Sequence, residues 1–63
     1  MNYSKSLKAL RNKMLVTQEE LAKKLGVSFA SVNRWENGKC EPTMKAKRKL
    51  NTLFIKYKII IED

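Results

Sequence analysis

The segment SFASVNR, residues 28–34, holds the side chains of this chain that are best suited to recognising another molecule. If the segment is helical, Val32 and the following Trp35 share one side and suit a protein core. The opposite side of the same helix carries four other residues: Phe29, Ala30, Asn33 and Arg34. A face of this kind, not needed for the core, is free to meet a partner.

The chemistry of that face matches the edges of DNA bases. Arg34 can donate a pair of hydrogen bonds to guanine, and Asn33 can pair with adenine or reach a phosphate. Phe29 and Ala30 can contact a thymine methyl group. Ser28 can cap the helix, contact a phosphate, or do both. The alternatives are that Arg34 is a solvated charge and that Phe29 folds back onto the edge of the core.

The whole chain is strongly basic. Its 63 residues include 14 Lys and Arg against 6 Asp and Glu, a formal net charge of +8. This charge is typical of nucleic-acid binders, although a solvated basic surface or a membrane contact would give the same balance. The stretch from Lys45 to Lys58 is basic without an acid. It either contacts phosphates directly or serves as solvated charge that attracts DNA from a distance.

The composition also excludes several classes of function. With one cysteine, Cys40, and no histidine, the chain can form neither an intramolecular disulfide nor a Cys/His zinc site. We therefore expect no metal, and we expect no cofactor and no small-molecule ligand. We also expect no enzyme activity, because a chain this short cannot enclose a substrate. No apolar run approaches the ~20 residues of a membrane span. The N-terminus lacks a signal-peptide core, so we expect a cytoplasmic protein.

Start and stop signals predict the first three helices. Apolar residues at helical spacing predict a helix over residues 2–13. Thr17 and Glu20 form a capping box that starts the second helix, and Gly26 ends it in a left-handed conformation. Ser28 caps the third helix, which ends at Asn37-Gly38.

The end of the chain is less clear. Thr43 can cap a fourth helix that reaches about residue 57. Ile55, Tyr57, Ile59 and Ile61 are spaced by two like the residues on one face of a strand, yet Phe54, Tyr57 and Ile61 also fit a helical stripe. We expect a short extended or irregular tail over about 58–63.

Residues 17–37 therefore form a helix-turn-helix, because only Gly26 and Val27 separate one helix from the cap of the next. Ala22 is small where the two helices cross, and Val32 supplies an apolar side chain inside the second. We predict one all-α domain over residues 1–63.

The segment LKALRNKMLVTQEELAKKLGVSFASVNRWENGKCEPT resembles the phage repressor and Cro-type (XRE-like) helix-turn-helix family of DNA-binding proteins. Its most specific pieces are Leu10-Arg11, TQEELAKKLGVS, and WENGK followed by Pro42-Thr43. The resemblance covers about residues 7–54. It implies a compact four- to five-helix lambda-repressor-like domain in a bacterial or phage-encoded protein.

The face of the third helix opposite the core predicts the base-reading residues Ser28, Phe29, Ala30, Asn33 and Arg34. The resemblance implies phosphate contacts at Gln18, Asn37 and Lys39, and Gln18 also lies at a helix N-terminus, which attracts anions. We add Ser31 to the predicted phosphate contacts. By the same resemblance, Arg11 and Glu36 would form an internal ion pair.

The chain departs from the family pattern in three places. Leu15 stands where many members have glycine. Phe29 and Ala30 stand where polar residues often begin the reading helix. The run IKYKIIIED replaces the usual last short helix, which leaves the mode of dimerisation open.

These features predict a sequence-specific double-stranded DNA-binding regulator of transcription, a repressor, that inserts helix 28–36 into the major groove. We expect a homodimer on half-sites about 34 Å apart. The alternative is an antitoxin-like or accessory protein-interaction module that docks through its Ile-rich C-terminal tail.

Overall fold

A computed structural model describes residues 3–59 and shows four α-helices in them. They are α1 (Tyr3–Met14), α2 (Gln18–Leu25), α3 (Phe29–Glu36) and α4 (Met44–Lys56). These residues contain no strand, which confirms the all-α prediction. The helix boundaries agree with the predicted ones to about one residue. Residue 2 of the predicted first helix and residues 60–63 of the predicted tail lie outside the described part.

The predicted start signals are confirmed. The hydroxyl of Thr17 accepts from the backbone N–H of Glu20 at 3.1 Å, and the Glu20 carboxylate accepts from the N–H of Thr17 at 2.9 Å. These two bonds form the reciprocal capping box at the start of α2. Ser28 and Thr43 cap α3 and α4 in the same way through a single bond each. Local polar bonds therefore set where three of the four helices begin.

The turn between α2 and α3 needs glycine. Gly26 has φ 71°, in the left-handed region, and its N–H bonds to carbonyls of the last turn of α2. Other residues adopt this conformation only at a cost in free energy. The chain can thus leave α2 and begin α3 within three residues.

Leu15 also lies in the left-handed region, with φ 57°, between α1 and α2. Its side chain is 89% exposed, so it makes little contribution to the core. A glycine would adopt this conformation without the steric cost of a Cβ atom. In this chain, Leu15 adopts the left-handed conformation despite its Cβ atom, so its backbone is strained.

The core is formed by apolar side chains from all four helices. α3 packs against both α1 and α2, and α2 also packs against α4. The buried members include Leu7, Leu10, Leu21, Leu25, Val32, Trp35, Leu50 and Phe54. Since α3 is held from two sides, only one side of it remains at the surface.

The chain leaves α4 through a closing turn. The N–H of Tyr57 bonds to the carbonyl of Leu53 at 2.9 Å, and the N–H of Ile59 bonds to the carbonyl of Phe54 at 2.8 Å. Ile59 is half-buried against the core. Ile55 lies within α4, so it belongs to a helix and not to the strand that the alternation also allowed. A fifth helix does not occur within residues 3–59.

Candidate nucleic-acid interface

The two sides of α3 differ sharply in exposure. Val32 and Trp35 are 0% and 4% exposed and belong to the core. Phe29 on the other side is 51% exposed, so about half of its surface faces solvent. Ala30 and Arg34 are exposed as well. The outward face of α3 therefore presents an aromatic ring, a methyl group and a guanidinium to solvent.

The first turn of α3 is tied by hydroxyl groups. The Ser28 hydroxyl accepts from the N–H of Ser31 at 3.2 Å, and the two hydroxyl oxygens lie 3.0 Å apart. Ser28 is exposed and Ser31 is half-buried. Ser28 thus serves as the cap, while its hydroxyl stays at the surface beside Phe29.

Glu36 places a carboxylate inside the protein at the end of α3. Its side chain is 1% exposed, and Arg11 of α1 binds it through two hydrogen bonds, Nε to Oε2 at 2.8 Å and Nη2 to Oε1 at 3.0 Å. Ser4 donates from its hydroxyl to the backbone carbonyl of Glu36. The structure thus brings Arg11 and Glu36 together as a bidentate ion pair that joins α1 to α3.

The pair changes the pKa of both groups. Burial tends to raise the pKa of Glu36, but hydrogen bonds from Arg11 and Gln18, with the charges of Arg11 and Lys8, hold it below its ordinary value of 4.5. The hydrogen bond to Glu36 raises the pKa of Arg11 above its ordinary value. Both groups are therefore charged at neutral pH.

Three side-chain amides extend from this pair to the surface; we call Gln18, Asn33 and Asn37 the amide network. Gln18 donates from Nε2 to Oε1 of Glu36 at 3.0 Å. Asn33 donates from Nδ2 to Oε1 of Gln18 at 3.1 Å, and Asn37 donates from Nδ2 to Oδ1 of Asn33 at 3.1 Å. Gln18 and Asn33 are half-buried, and Asn37 is exposed. The network thus joins a predicted base-reading residue to two predicted phosphate-contacting residues.

Lys39 follows the end of α3. Its backbone N–H bonds to the carbonyl of Arg34 at 3.0 Å, and Gly38 before it has φ 75°. The residue is exposed. Its side chain therefore starts close to the carboxyl end of α3, beside the exposed Asn37.

Two cations of the basic stretch have structural contacts that the sequence did not reveal. Lys49 of α4 donates from Nζ to the carbonyl of Leu25, the last residue of α2, at 3.1 Å. Lys47 lies 3.6 Å from a carboxylate oxygen of Glu41 and 5.3 Å from the centre of the Tyr3 ring. The carbonyls at a helix C-terminus attract cations, but the sequence does not tell which lysine reaches them. At least these two lysines help to hold the helices together.

Within residues 3–59, no helix is both long and apolar enough to cross a membrane. The same residues contain no group of three or more Cys, Asp or Glu side chains able to hold a metal ion.

A helix-turn-helix family model matches residues 7–53, which span α1 to α4. The chain belongs to the Cro/repressor-type (XRE-like) helix-turn-helix family. In this helix-turn-helix, α2 and α3 are the paired helices.

Two relatives carry regulatory names. The HTH-type transcriptional activator BcrR of Enterococcus faecalis is 35% identical over 54 residues, 86% of this chain and 26% of that protein. An uncharacterised HTH-type transcriptional regulator of Methanocaldococcus jannaschii is 43% identical over 53 residues, 84% of this chain and 76% of that protein. The chain thus spans about a quarter of the length of the Enterococcus relative. None of the solved structures matches this helix-turn-helix chain significantly.

Proposed function

We propose that the protein binds double-stranded DNA at specific sequences and regulates transcription, with α3 lying in the major groove. The observation that carries this proposal is the division of α3 into a buried side, with Val32, Trp35 and Glu36, and an outward side. The major groove admits an α-helix and presents a distinct hydrogen-bonding pattern for each base pair. The family and the regulatory names of both relatives support the same function.

Arg34 is the main base-reading residue in this proposal. Its side chain is exposed on the outward side of α3 and matches guanine O6 and N7. Asn33 reads a second base through its amide. Phe29 and Ala30 contact thymine methyl groups, because neither side chain can hydrogen-bond to a base edge. Ser28 contributes its exposed hydroxyl at the start of the helix.

Phosphate contacts surround the reading face. Gln18 begins α2, where unpaired backbone N–H groups and the helix dipole favour an anion. Ser31, Asn37 and Lys39 lie on or just after α3 and complete the set. Phosphate contacts set position and register, whereas base contacts set sequence preference. The net charge of +8 strengthens all of them at long range.

We assign the protein the role of a repressor that acts as a homodimer in the cytoplasm. Occupying a promoter requires only DNA binding, so this domain suffices for repression by exclusion. Two copies would read half-sites about 34 Å apart on the same side of the DNA. Ile55 of α4, which is 71% exposed, offers apolar area for contact between copies.

The test begins with selection of bound sequences from random double-stranded DNA, followed by gel shifts. Arg34→Ala should lose about 1–3 kcal/mol of preference at one guanine. Arg34→Lys keeps the charge without the planar guanidinium and should lose part of this preference. Lys39→Ala should weaken binding to all DNA sequences alike and should reduce the salt dependence of the affinity by the equivalent of about one phosphate contact. Equal losses on every sequence for Arg34→Ala would contradict the assignment of the reading helix.

Repression and dimerisation have separate tests. A reporter gene under a promoter that contains the selected site should be less active when the protein is present; increased activity would make it an activator. Sedimentation of the protein with a DNA that carries both half-sites should give the mass of two copies bound to that DNA; protein without DNA serves as the comparison. Ile55→Lys should weaken that assembly if α4 forms the contact.

A second candidate is an antitoxin-like or accessory module that binds another protein. Three exposed apolar side chains favour it, namely Leu15 at 89%, Met44 at 65% and Ile55 at 71%. A partner protein that covers these side chains would remove their apolar surface from water. A chain that binds no double-stranded DNA, but forms a stable complex with a protein through these residues, would support this candidate over the first.

A further inference from the structure

Glu36 determines the orientation of the amide network. A carboxylate can only accept hydrogen bonds, so the Gln18 amide must turn its nitrogen toward Glu36 and its oxygen away. That oxygen then accepts from Nδ2 of Asn33, and Oδ1 of Asn33 accepts from Nδ2 of Asn37. Each amide thus takes the orientation imposed by its inner neighbour. An amide without such a neighbour could turn by half a turn at little cost, since its oxygen and nitrogen have nearly the same shape.

Asn33 keeps one donor and one acceptor free of the network. Its Nδ2 has two protons, of which one bonds to Gln18, and its Oδ1 has two lone pairs, of which one bonds to Asn37. Adenine presents N7 as an acceptor and the N6 amino group as a donor in the major groove. The remaining proton and lone pair of Asn33 match this pair in one orientation and oppose it in the other.

We propose that Gln18 and Glu36 are positioning residues for base recognition by Asn33: the buried carboxylate fixes the Gln18 amide, which fixes the Asn33 amide in the orientation that reads adenine. This inference rests on the proposed function and assigns Gln18 a second role besides phosphate contact. The two roles have different consequences. A phosphate contact strengthens binding to every sequence, whereas positioning of Asn33 affects preference at a single base pair.

The base pair read by Asn33 is found first. Sequences are selected with the wild-type protein and with Asn33→Ala, and the position at which the preference disappears in the variant is the one that Asn33 reads. The wild-type protein should prefer adenine there by about 5- to 150-fold over other bases, the range of a bidentate pair.

Two substitutions of Gln18 then separate its roles. Gln18→Lys can still donate to Glu36 and contact a phosphate, but it cannot accept a bond from Asn33. Its added positive charge should strengthen binding to every sequence, while the adenine preference should fall about two- to tenfold, the cost of ordering one free side chain on binding. Gln18→Leu should lose the same preference and weaken all sequences in addition. In the Asn33→Ala background, neither change should affect that base pair further.

Asn51→Ala serves as the matched control, because it removes an exposed amide from α4 and should leave the adenine preference unchanged. Folding of every variant is checked by circular dichroism and by the fluorescence of Trp35. In the free protein, the side-chain amide protons of Asn33 should exchange with solvent more slowly in the wild type than in Gln18→Leu.

The outcomes distinguish the inference from the function on which it rests. If the wild type selects a sequence and both Gln18 variants keep the full preference at the Asn33 position, the positioning role is wrong and the function stands. If the wild type selects no sequence, the proposed function fails, and the amide exchange still measures the network in the free protein. Equal exchange of the Asn33 amide in wild type and Gln18→Leu would overturn the network itself.

Discussion

Arg11→Met removes the cation from the buried carboxylate of Glu36 and leaves an unbranched apolar side chain in its place. Glu36 accepts two hydrogen bonds from Arg11, at 2.8 and 3.0 Å, and a third from Gln18 at 3.0 Å. In the variant, only the bond from the neutral amide remains. A carboxylate with 1% exposure would then be charged without a counterion.

The expected loss of stability follows from this geometry. Breaking a buried ion pair by removing one partner costs about 3–5 kcal/mol. The Arg11 side chain is 24% exposed and Gln18 still binds the carboxylate, so we expect about 3 kcal/mol, the lower end. A domain of this length is stable by about 3–9 kcal/mol in total, at roughly 0.05–0.15 kcal/mol per residue. The single substitution therefore removes a third or more of the stability.

Thermal unfolding measures this loss. Trp35 is the single tryptophan and is 4% exposed, so its fluorescence reports on the core. About 4–8 °C per kcal/mol gives a midpoint lower by about 12–24 °C. Arg11→Met combined with Glu36→Leu should recover most of the loss, because no charge then remains buried. A loss under about 1 kcal/mol, or a double variant as unstable as Arg11→Met, would refute the reasoning.

Three further predictions concern stability. The pKa of Glu36 is lower in the folded protein than its ordinary 4.5, so the ionised carboxylate contributes fully to the free energy of unfolding above pH 4.5. This contribution is lost as the pH falls through the lower pKa of the folded protein. Melting temperatures measured from pH 7 to 3 should show the loss, and Glu36→Gln should remove that part of the pH dependence. Leu15→Gly should raise the free energy of unfolding by up to about 1 kcal/mol, because relief of about 1–2 kcal/mol of left-handed strain exceeds the entropy cost of glycine, and a lower melting temperature would contradict this. Gly26→Ala should lower the free energy of unfolding by about 1–2 kcal/mol in urea titrations, because φ is 71° there and a residue with a Cβ atom is strained in this conformation; unchanged stability would show that the turn tolerates a side chain.

The helix boundaries could be predicted because local interactions set them. Thr17 and Glu20 are three residues apart, and Gly26 directly follows the helix that it ends. The buried and exposed sides of α3 could also be predicted, because helical periodicity alone places Val32 and Trp35 on the same side. The end of α4 was harder, because the spacing of Ile55, Tyr57 and Ile59 fits a strand as well as a helix. Up to residue 59, the structure shows a helix that ends at Lys56 and a bond from the N–H of Ile59 to the carbonyl of Phe54.

The internal contacts of the site could not be read from spacing. Gln18 and Glu36 are 18 residues apart, Asn33 and Gln18 are 15 apart, and Lys49 and Leu25 are 24 apart. Such pairs depend on how the helices cross, which the periodicity of one helix does not specify. Arg11 and Glu36 entered only through the family resemblance. The exposed face of α3 was therefore predictable from the sequence, while the hydrogen bonds between the helices behind that face were not.

The bond between Asn33 and Gln18 restricts how this scaffold can acquire new DNA preferences. A replacement at residue 33 must still donate to Oε1 of Gln18, which Asn33→Asp or Asn33→Val cannot do, so such changes would cost stability as well as altering recognition. Ala30 and Arg34 are exposed, and substitution there leaves the core in place. Divergence between related regulators should accordingly begin at residues 30 and 34, and a change at residue 33 should be accompanied by one at residue 18.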